Sequence, residues 1–278
     1  MSSTVRKKIF STARGGNSIN TSTYIPEVQS WISRLNGGLP SNTYITNLTN
    51  LITTLINSGD WAHIIKMYIV TQETRAWWLN SIKNPAYAGT GAAIEVGGLT
   101  YDNKGIISNG TTGYVDLNFY LGATYSGTAN ITNYGFGCWK ITDSAQDTFD
   151  MGCQDNTFSP SADSYIKSHA VAGTMRGAVN GSDGISALVG NNSGTELQSI
   201  QVVSGTGTGY NKGVSVGTFS GVNYHIPGQS MFAMAFNASG TATSFRTDKY
   251  AMFFMEDGQA NHLNIQTAYK TFATANGY

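Results

Sequence analysis

The chain has 278 residues with 16 basic and 16 acidic side chains, and its 12% of charged residues is about half the usual share of a soluble domain. Its 40% of hydrophobic residues excludes a disordered chain, and its length allows one large domain that needs neither disulfides nor metal ions to fold. We expect no signal peptide, no membrane-spanning segment and no nucleic-acid-binding body, since we find no long apolar run and no basic patch beyond the first residues.

Residues 1–24 form a polar arm that is rich in Gly, Ser and Asn. The arm carries basic residues, and no acidic residue precedes Glu27. Because the whole chain has a net charge of zero, the rest of the chain carries a net negative charge of the same size as the positive charge of the arm. A basic arm of this kind either stays solvated or docks on an acidic protein surface or on nucleic acid. The candidate attachment residues are its four cations, Arg6, Lys7, Lys8 and Arg14.

Residues 25–84 are predicted to be a helical region that attaches or oligomerises the chain. Spacing of i, i+3, i+4 and i+7 after Pro26 gives one apolar stripe. Its residues are further candidate attachment residues, which we expect to bury against a partner protein: Val28, Trp31, Ile32 and Leu35. A second helix is predicted between Ser41 and Gly59. Its apolar seam fits either packing within the chain or a short oligomeric helix bundle, and it consists of Tyr44, Leu48, Leu51 and Leu55. Further helices are predicted at Trp61–Tyr68, with Asp60 as the N-cap, and near Gln72–Ile82.

From Ala92 onward the hydrophobic period changes from about 3.6 to 2, which is typical of short antiparallel strands. Turn residues separate the runs, as at Asn109-Gly110. The predicted strands are Tyr114–Phe119, Tyr134–Ile141, Thr148–Cys153, Ser164–His169, Thr174–Asn180, Ser199–Ser204, Val214–Phe219, Met231–Asn237 and Tyr250–Glu256. This pattern indicates a β-sandwich or jelly roll over residues 85–278, closed by a C-terminal helix with Asn261 as its cap.

The two cysteines, Cys138 and Cys153, are predicted to remain thiols. A hairpin turn at Asp143–Thr148 would place them opposite each other on adjacent strands. Disulfides form chiefly in secreted proteins, and we expect no secretion signal here.

Three segments resemble a known protein family. A lead-in at Leu79–Pro85 precedes the β region, Gly113–Phe119 forms a strand with a G-Y-x-D-like start, and the aromatic strand Tyr250–Met255 comes before the last helix. Together they resemble the laminin-G/concanavalin A-like jelly-roll proteins on the virions of tailed bacteriophages. The resemblance implies a head fibre, capsid decoration or tail-associated protein that is assembled in the host cytoplasm, contacts other virion proteins and forms a homo-oligomer.

No catalytic residue is assigned. Glycoside hydrolysis needs two neighbouring carboxylates, and none of the five glutamates has another glutamate two or four positions away. The G-x-S-x-G match at Gly213–Gly217 lies in a β run without the helix that this motif requires. We therefore expect that the protein is not an enzyme and needs no cofactor.

No metal site is assigned either. The densest acidic group has turn spacing rather than a calcium-loop pattern and consists of Asp143, Asp147, Asp150 and Asp155. The four histidines are far apart and show no ligand spacing.

Carbohydrate recognition is the alternative to a structural virion role. Sugars are held by aromatic faces together with amide and carboxylate hydrogen bonds, and two loop-like segments carry such groups. The candidate contacts with a host surface glycan are Tyr210, Asn211 and Tyr224. The leading prediction is a surface-exposed virion protein attached by its N-terminal region, with a lectin-like adhesin as the alternative.

Overall fold

The computed structural model describes residues 24–35, 38–70, 75–83, 92–102, 104–121, 133–156, 162–170, 174–181, 187–191, 194–220 and 227–277. These residues confirm the predicted β-sandwich with short helices before and after it. The cationic arm residues Arg6, Lys7, Lys8 and Arg14 and the candidate glycan contact Tyr224 lie outside the described residues.

Five helices are found in the described residues: α1 (Pro26–Ile32), α2 (Asn42–Asn57), α3 (Asp60–His63), α4 (Arg75–Trp78) and α5 (His262–Ala275). Ser41 caps α2 because its side chain accepts a hydrogen bond from the backbone N–H of Tyr44. Asn261 caps α5 in the same way, as the sequence predicts. None of the described helices is long and apolar enough to span a membrane.

The described strands are β1 (Ile64–Ile69), β2 (Ile94–Val96), β3 (Leu99–Asp102), β4 (Gly105–Ser108), β5 (Tyr114–Tyr120), β6 (Tyr134–Lys140), β7 (Met151–Asp155), β8 (Ala162–Ala170), β9 (Thr174–Gly181), β10 (Ala187–Asn191), β11 (Glu196–Val203), β12 (Thr206–Asn211), β13 (Val214–Ser220), β14 (Ser230–Ala233), β15 (Phe236–Ala238), β16 (Thr241–Thr243) and β17 (Lys249–Glu256). They form two sheets. Sheet A has the order β13-β12-β11-β6-β17-β4-β3, with β1 also paired to β17. Sheet B has the order β10-β9-β8-β7-β14-β5-β2, with the β15–β16 hairpin attached to β7.

The two faces of sheet A are covered in different ways. Its inner face packs against sheet B through alternate apolar side chains such as Phe136, Ile200 and Phe253. Its outer face packs against α1, α2 and α5 through side chains such as Trp139 and Phe254. In the part of the chain that the structure describes, no helix covers the outer face of sheet B.

The apolar stripe of α1 packs inside the chain. Val28, Trp31 and Ile32 are at most 7% exposed, and Leu35 packs against the same cluster. Trp31 also donates a hydrogen bond from Nε1 to the carbonyl of Asn80 at 3.1 Å. The seam of α2 likewise joins this cluster, so the described chain itself provides the packing partner that both patterns require.

The predicted helix at Trp61–Tyr68 is wrong. The structure has the short helix α3 followed by strand β1, and all six residues of Ile64–Ile69 are buried. Strand β1 pairs with β17 and lies between the helix layer and sheet B. A strand buried on both faces carries a continuous apolar run, and such a run cannot be distinguished from a buried helix by its periodicity.

Two predictions about the β region are also wrong. Cys138 lies on β6 of sheet A and Cys153 on β7 of sheet B, so the two buried thiols are not on adjacent strands. The glycine-rich segment Gly205–Gly209 lacks the Lys-Ser/Thr of a phosphate loop, and the sequence therefore predicts a flexible loop there. In the structure this segment mostly forms β12, which pairs with β11 and β13. Gly207 lies directly under the ring of Phe219, and a Cβ there would come within 2.1 Å of that ring, so close packing accounts for this glycine.

Candidate functional site

An aromatic platform lies on the outer face of sheet B, on strands β5 and β14 and the segment before β17. The ring of Tyr114 lies 4.5 Å from that of Phe232 and 6.2 Å from that of Phe245, measured between centroids. Phe232 is buried beneath, whereas Tyr114 and Phe245 are half-buried. On the neighbouring edge strand, Val96 is opposite Tyr114 and Ile94 is 53% exposed. The platform therefore offers apolar ring faces to a ligand in solvent.

The loop at 109–113 borders the platform and is held in place by internal hydrogen bonds. The side-chain oxygen of Asn109 accepts from the backbone N–H groups of Thr111, Thr112 and Gly113 at 2.9–3.0 Å. The Asn109 amide in turn donates to the hydroxyl of Thr112, and Ser108 donates to the carbonyl of Gly113. The exposed loop is thus pre-ordered, which lowers the entropy that a ligand would lose on binding.

The segment between β16 and β17 positions Phe245 by alternation. Phe245 and Thr247 are half-buried, whereas Arg246 and Asp248 are fully buried. Alternate residues of an extended chain point to opposite sides, so the buried pair anchors the segment while Phe245 remains on the platform. Thr247 also packs against Gly110 of the neighbouring loop.

Arg246 is the main anchor of this segment. Its Nε lies 2.5 Å from Asp248 Oδ2 and 3.2 Å from Asp150 Oδ1. Its Nη1 donates to the carbonyl oxygens of Gln146 and Thr148 at 2.9 and 2.8 Å. Desolvation by burial lowers the pKa of Arg246, but the nearby carboxylates outweigh burial and raise that pKa. The guanidinium therefore stays charged and connects three chain segments at one end of the sandwich.

Lys140 completes this buried ion network. Its ammonium lies 3.0 Å from Asp248, 3.3 Å from Asp150 and 3.5 Å from Asp143, and it donates to Ser168. Burial alone would raise the pKa of Asp150, yet Arg246 and Lys140 lower it to about 2. The network explains why two members of the predicted acidic group, Asp143 and Asp150, occur close together: they pair with buried cations.

Asp116 supplies the polar group nearest to the platform on the same strand. It lies two residues from Tyr114 and directly opposite Phe232, so all three face outward. One carboxylate oxygen accepts from the backbone of Asn118 and from the hydroxyl of Ser230. Burial and the Asp116 charge together raise the pKa of Tyr114. The Tyr114 hydroxyl has no hydrogen-bond partner in the part of the chain that the structure describes.

A second aromatic cluster lies on the same outer face and is more closed. Phe149 stacks on Phe236 at 4.2 Å, and Tyr165 meets both edge-on. The Lys167 ammonium lies 4.2 Å from the ring centre of Phe149. Tyr165 and Phe236 are buried, so this cluster mainly holds the β15–β16 hairpin against sheet B.

The sequence-predicted contacts Tyr210 and Asn211 lie at the end of strand β12 rather than in a loop. The Tyr210 hydroxyl donates to Gln201 at 3.2 Å, and Asn211 accepts from Gln198 at 3.0 Å. Burial raises the pKa of Tyr210. Their polar groups are therefore used within sheet A, away from the platform.

Beneath Tyr210 lies a buried Ser–His–Glu arrangement. Ser199 Oγ is 2.7 Å from Nδ1 of His262, and Nε2 of the same ring is 3.5 Å from Glu256. Glu256 also accepts from the backbone N–H groups of residues 258–260. All three side chains are at most 2% exposed, so their role in this conformation is to fix the start of α5 on sheet A.

In the described part of the chain, no group of three or more histidine, cysteine or acidic side chains could hold a metal ion. The platform residues Tyr114, Asp116, Phe232 and Phe245 were not selected from the sequence. A signal for the first three exists, since alternation along the predicted strands turns them away from the apolar side. No such signal exists for Phe245, whose position depends on the buried Arg246.

No protein-family model matches the sequence, and a comparison with curated proteins finds no match. Among solved structures, the chain is similar to a mutant of Trypanosoma rangeli sialidase displaying trans-sialidase activity. The TM-score is 0.53 and the sequence identity 10%, and the match covers 83% of this chain and 38% of the sialidase chain. For the T. rangeli sialidase in complex with 2,3-difluorosialic acid, the TM-score is 0.50 and the sequence identity 11%. That match covers 81% of this chain and 37% of the sialidase chain. The chain is also compared with domain 4 of AbnA, a GH43 extracellular arabinanase from Geobacillus stearothermophilus, in complex with arabinotriose. The TM-score is 0.49 and the sequence identity 11%, and the match covers 74% of this chain and 98% of the arabinanase domain.

The similarities to the two sialidase structures show a shared fold, and this chain spans less than two fifths of the sialidase chains. They contradict the sequence-based expectation that the protein is not an enzyme, because the same architecture occurs within the chains of enzymes. That expectation relied on the lack of a local catalytic motif. Catalytic groups can instead come from loops distant in sequence, which motif spacing does not reveal.

Proposed function

We propose that this chain is a carbohydrate-binding domain whose ligand stacks on the platform of Tyr114, Phe232 and Phe245. The observation that carries the proposal is the combination of half-exposed ring faces with a pre-ordered polar loop beside them. Sugar rings have apolar C–H faces that pack on aromatic rings and hydroxyls that need hydrogen-bond partners. A few polar groups around an apolar surface are what such a ligand requires.

Each part of the platform has a defined role in this proposal. The ring faces of Tyr114 and Phe245 contact the sugar, and Phe232 supports them from below. The Tyr114 hydroxyl, the Asp116 carboxylate and the exposed residues Thr111 and Thr112 supply hydrogen bonds. The similarity of the fold to sialidases supports a carbohydrate ligand in general and does not indicate which sugar is bound.

The proposal is tested by screening the full chain on a glycan array and measuring the strongest hit by calorimetry. Tyr114→Ala and Phe245→Ala are each expected to weaken binding about tenfold, the value of one lost stacking contact. Leu263→Ala is the matched control, because Leu263 is also apolar and 49% exposed but lies on α5 over the opposite sheet. Equal affinity of wild type and both platform variants would refute the proposed site, and the absence of any glycan ligand would refute the function.

A place on a phage virion is a separate proposal that depends on the sequence resemblance. The helix layer covers sheet A, whereas the platform lies on sheet B, so attachment through the helices would leave the platform facing outward. The solvent side of α2 and α5 carries amides and hydroxyls around a groove of about 110 Å³. Quantitative mass spectrometry of particles from the native source tests this proposal, with a stoichiometric copy number expected and the absence of the chain refuting it.

A further inference from the structure

The charge on the described surface around the platform is negative. Among the described outward residues of β2, β5, β14, the loop at 109–113 and the segment at 244–248, Asp116 is the one charged side chain. The cations on neighbouring elements are engaged with carboxylates, Arg75 with Glu95 and Lys249 with Asp102. A ligand on the platform therefore meets a carboxylate without an accessible cation beside it.

The cation nearest to Asp116 in the sandwich interior is Lys66. Its side chain is fully buried, and its ammonium donates to the backbone carbonyl of Asn118 at 2.9 Å. It can offset part of the Asp116 charge through the sheet, but it cannot contact a ligand on the outer face. The second oxygen of Asp116 has no hydrogen-bond partner in the described part of the chain, which leaves it as an acceptor for sugar hydroxyls.

We propose, building on the carbohydrate-binding function, that the platform selects neutral glycans and that Asp116 both accepts hydrogen bonds from their hydroxyl groups and rejects glycans bearing a carboxylate. An ionised acceptor makes stronger hydrogen bonds with hydroxyl donors than a neutral one does. The same charge repels a uronate or sialate a few ångströms away. At the surface of a protein, this repulsion corresponds to about a tenfold loss of affinity.

The test compares matched probe pairs on the full chain by calorimetry: lactose with 3′-sialyllactose, and galactotriose with trigalacturonate. We expect the neutral member to bind about tenfold more tightly at low salt. The ratio should fall toward one in roughly 1 M salt, where the screening length is about 3 Å. Equal or tighter binding of the carboxylated members to wild type would overturn the selectivity while leaving carbohydrate binding intact. If no probe and no array glycan binds, the function itself fails.

The variant Asp116→Asn isolates the cause of the selectivity. It keeps an acceptor for Ser230 and Asn118 but removes the charge. The neutral probe should therefore bind a few-fold less tightly, because it loses a charged acceptor, and the anionic probe should bind more tightly, because the repulsion is gone. Together these two changes should bring the neutral-to-anionic ratio to near one. An unchanged ratio would overturn the role of Asp116. Because the salt dependence of the wild-type ratio needs no variant, it decides the question even if Asp116→Asn fails to fold.

Discussion

Replacing Lys66 with methionine removes an ammonium that the fold buries with one hydrogen-bond acceptor out of the three it could use. The Lys66 ammonium donates to the carbonyl of Asn118, and the ring of Phe119 lies 6.0 Å away. Burial lowers the pKa of Lys66 from 10.5 to about 8, although the Asp116 charge acts in the opposite direction. Methionine has a similar length and no charge, so it can fill the same space.

The lowered pKa sets the size and sign of the effect. A fall from 10.5 to about 8 corresponds to about 3 kcal/mol of destabilisation while the group is charged. Between these pH values the unfolded chain holds more protons than the folded one, so wild-type stability rises as the pH increases from about 8 to 10.5. Loss of the hydrogen bond to Asn118 costs about 1 kcal/mol in the variant. We therefore expect Lys66→Met to be about 2 kcal/mol more stable than wild type at pH 7. Because wild type gains about 3 kcal/mol as the pH rises from about 8 to 10.5, this advantage should disappear near pH 10, and wild type should be more stable by about 1 kcal/mol at pH 10.5.

Urea denaturation of both proteins between pH 6 and 10.5 measures this difference, and subtraction cancels the titration of the other lysines and tyrosines. Lys104→Met is the control, because Lys104 is a half-buried lysine at the turn between β3 and β4. The free energy of unfolding of the Lys104→Met variant should stay within about 0.5 kcal/mol of the wild-type value. A Lys66→Met protein that is less stable than wild type at pH 7, or a difference that does not change with pH, would refute the reasoning.

Three further predictions concern the elements that hold the platform. Asp150→Asn should cost about 3–5 kcal/mol in urea denaturation, because it leaves Arg246 buried with fewer charges opposite it. Since the pKa of Asp150 is about 2 in the folded chain, its stabilisation is present above about pH 4 and is lost as the pH falls through 2, so the variant should show a flatter acid-unfolding profile. Gly152→Ala should cost about 1–3 kcal/mol, because a Cβ would come within 2.7 Å of the Phe236 ring, and an unchanged melting temperature would contradict this packing. Asn109→Ala should cost about 1–2 kcal/mol and weaken glycan binding by loosening the loop, and full affinity in a calorimetric titration would contradict the importance of the pre-ordered loop.

Local patterns in the sequence identified several elements correctly. Helix α2 begins after Ser41, Asn261 is the cap of α5, and the alternating run after Gly113 is strand β5. These features depend on residues within one turn of helix or a few positions of strand, so they can be recognised without knowledge of the tertiary structure.

The tertiary structure alone decided the features that depend on distant partners. Strand β1 is a strand because β17, almost 190 positions later, pairs with it. Lys140, Asp150 and Arg246 form one network because three segments meet at the end of the sandwich.

The sequence by itself determined the fold class, the extent of α2, the cap of α5 and the apolar face of strands such as β5, because side-chain period and capping chemistry are local properties of the chain. It could not determine the platform. Tyr114 is more than a hundred positions from Phe232 and Phe245 in the sequence. The rings meet because two strands pair in one register and a buried guanidinium fixes the third segment. Register and ion pairing are settled by long-range contacts, and those contacts exist only when the two sheets have packed together.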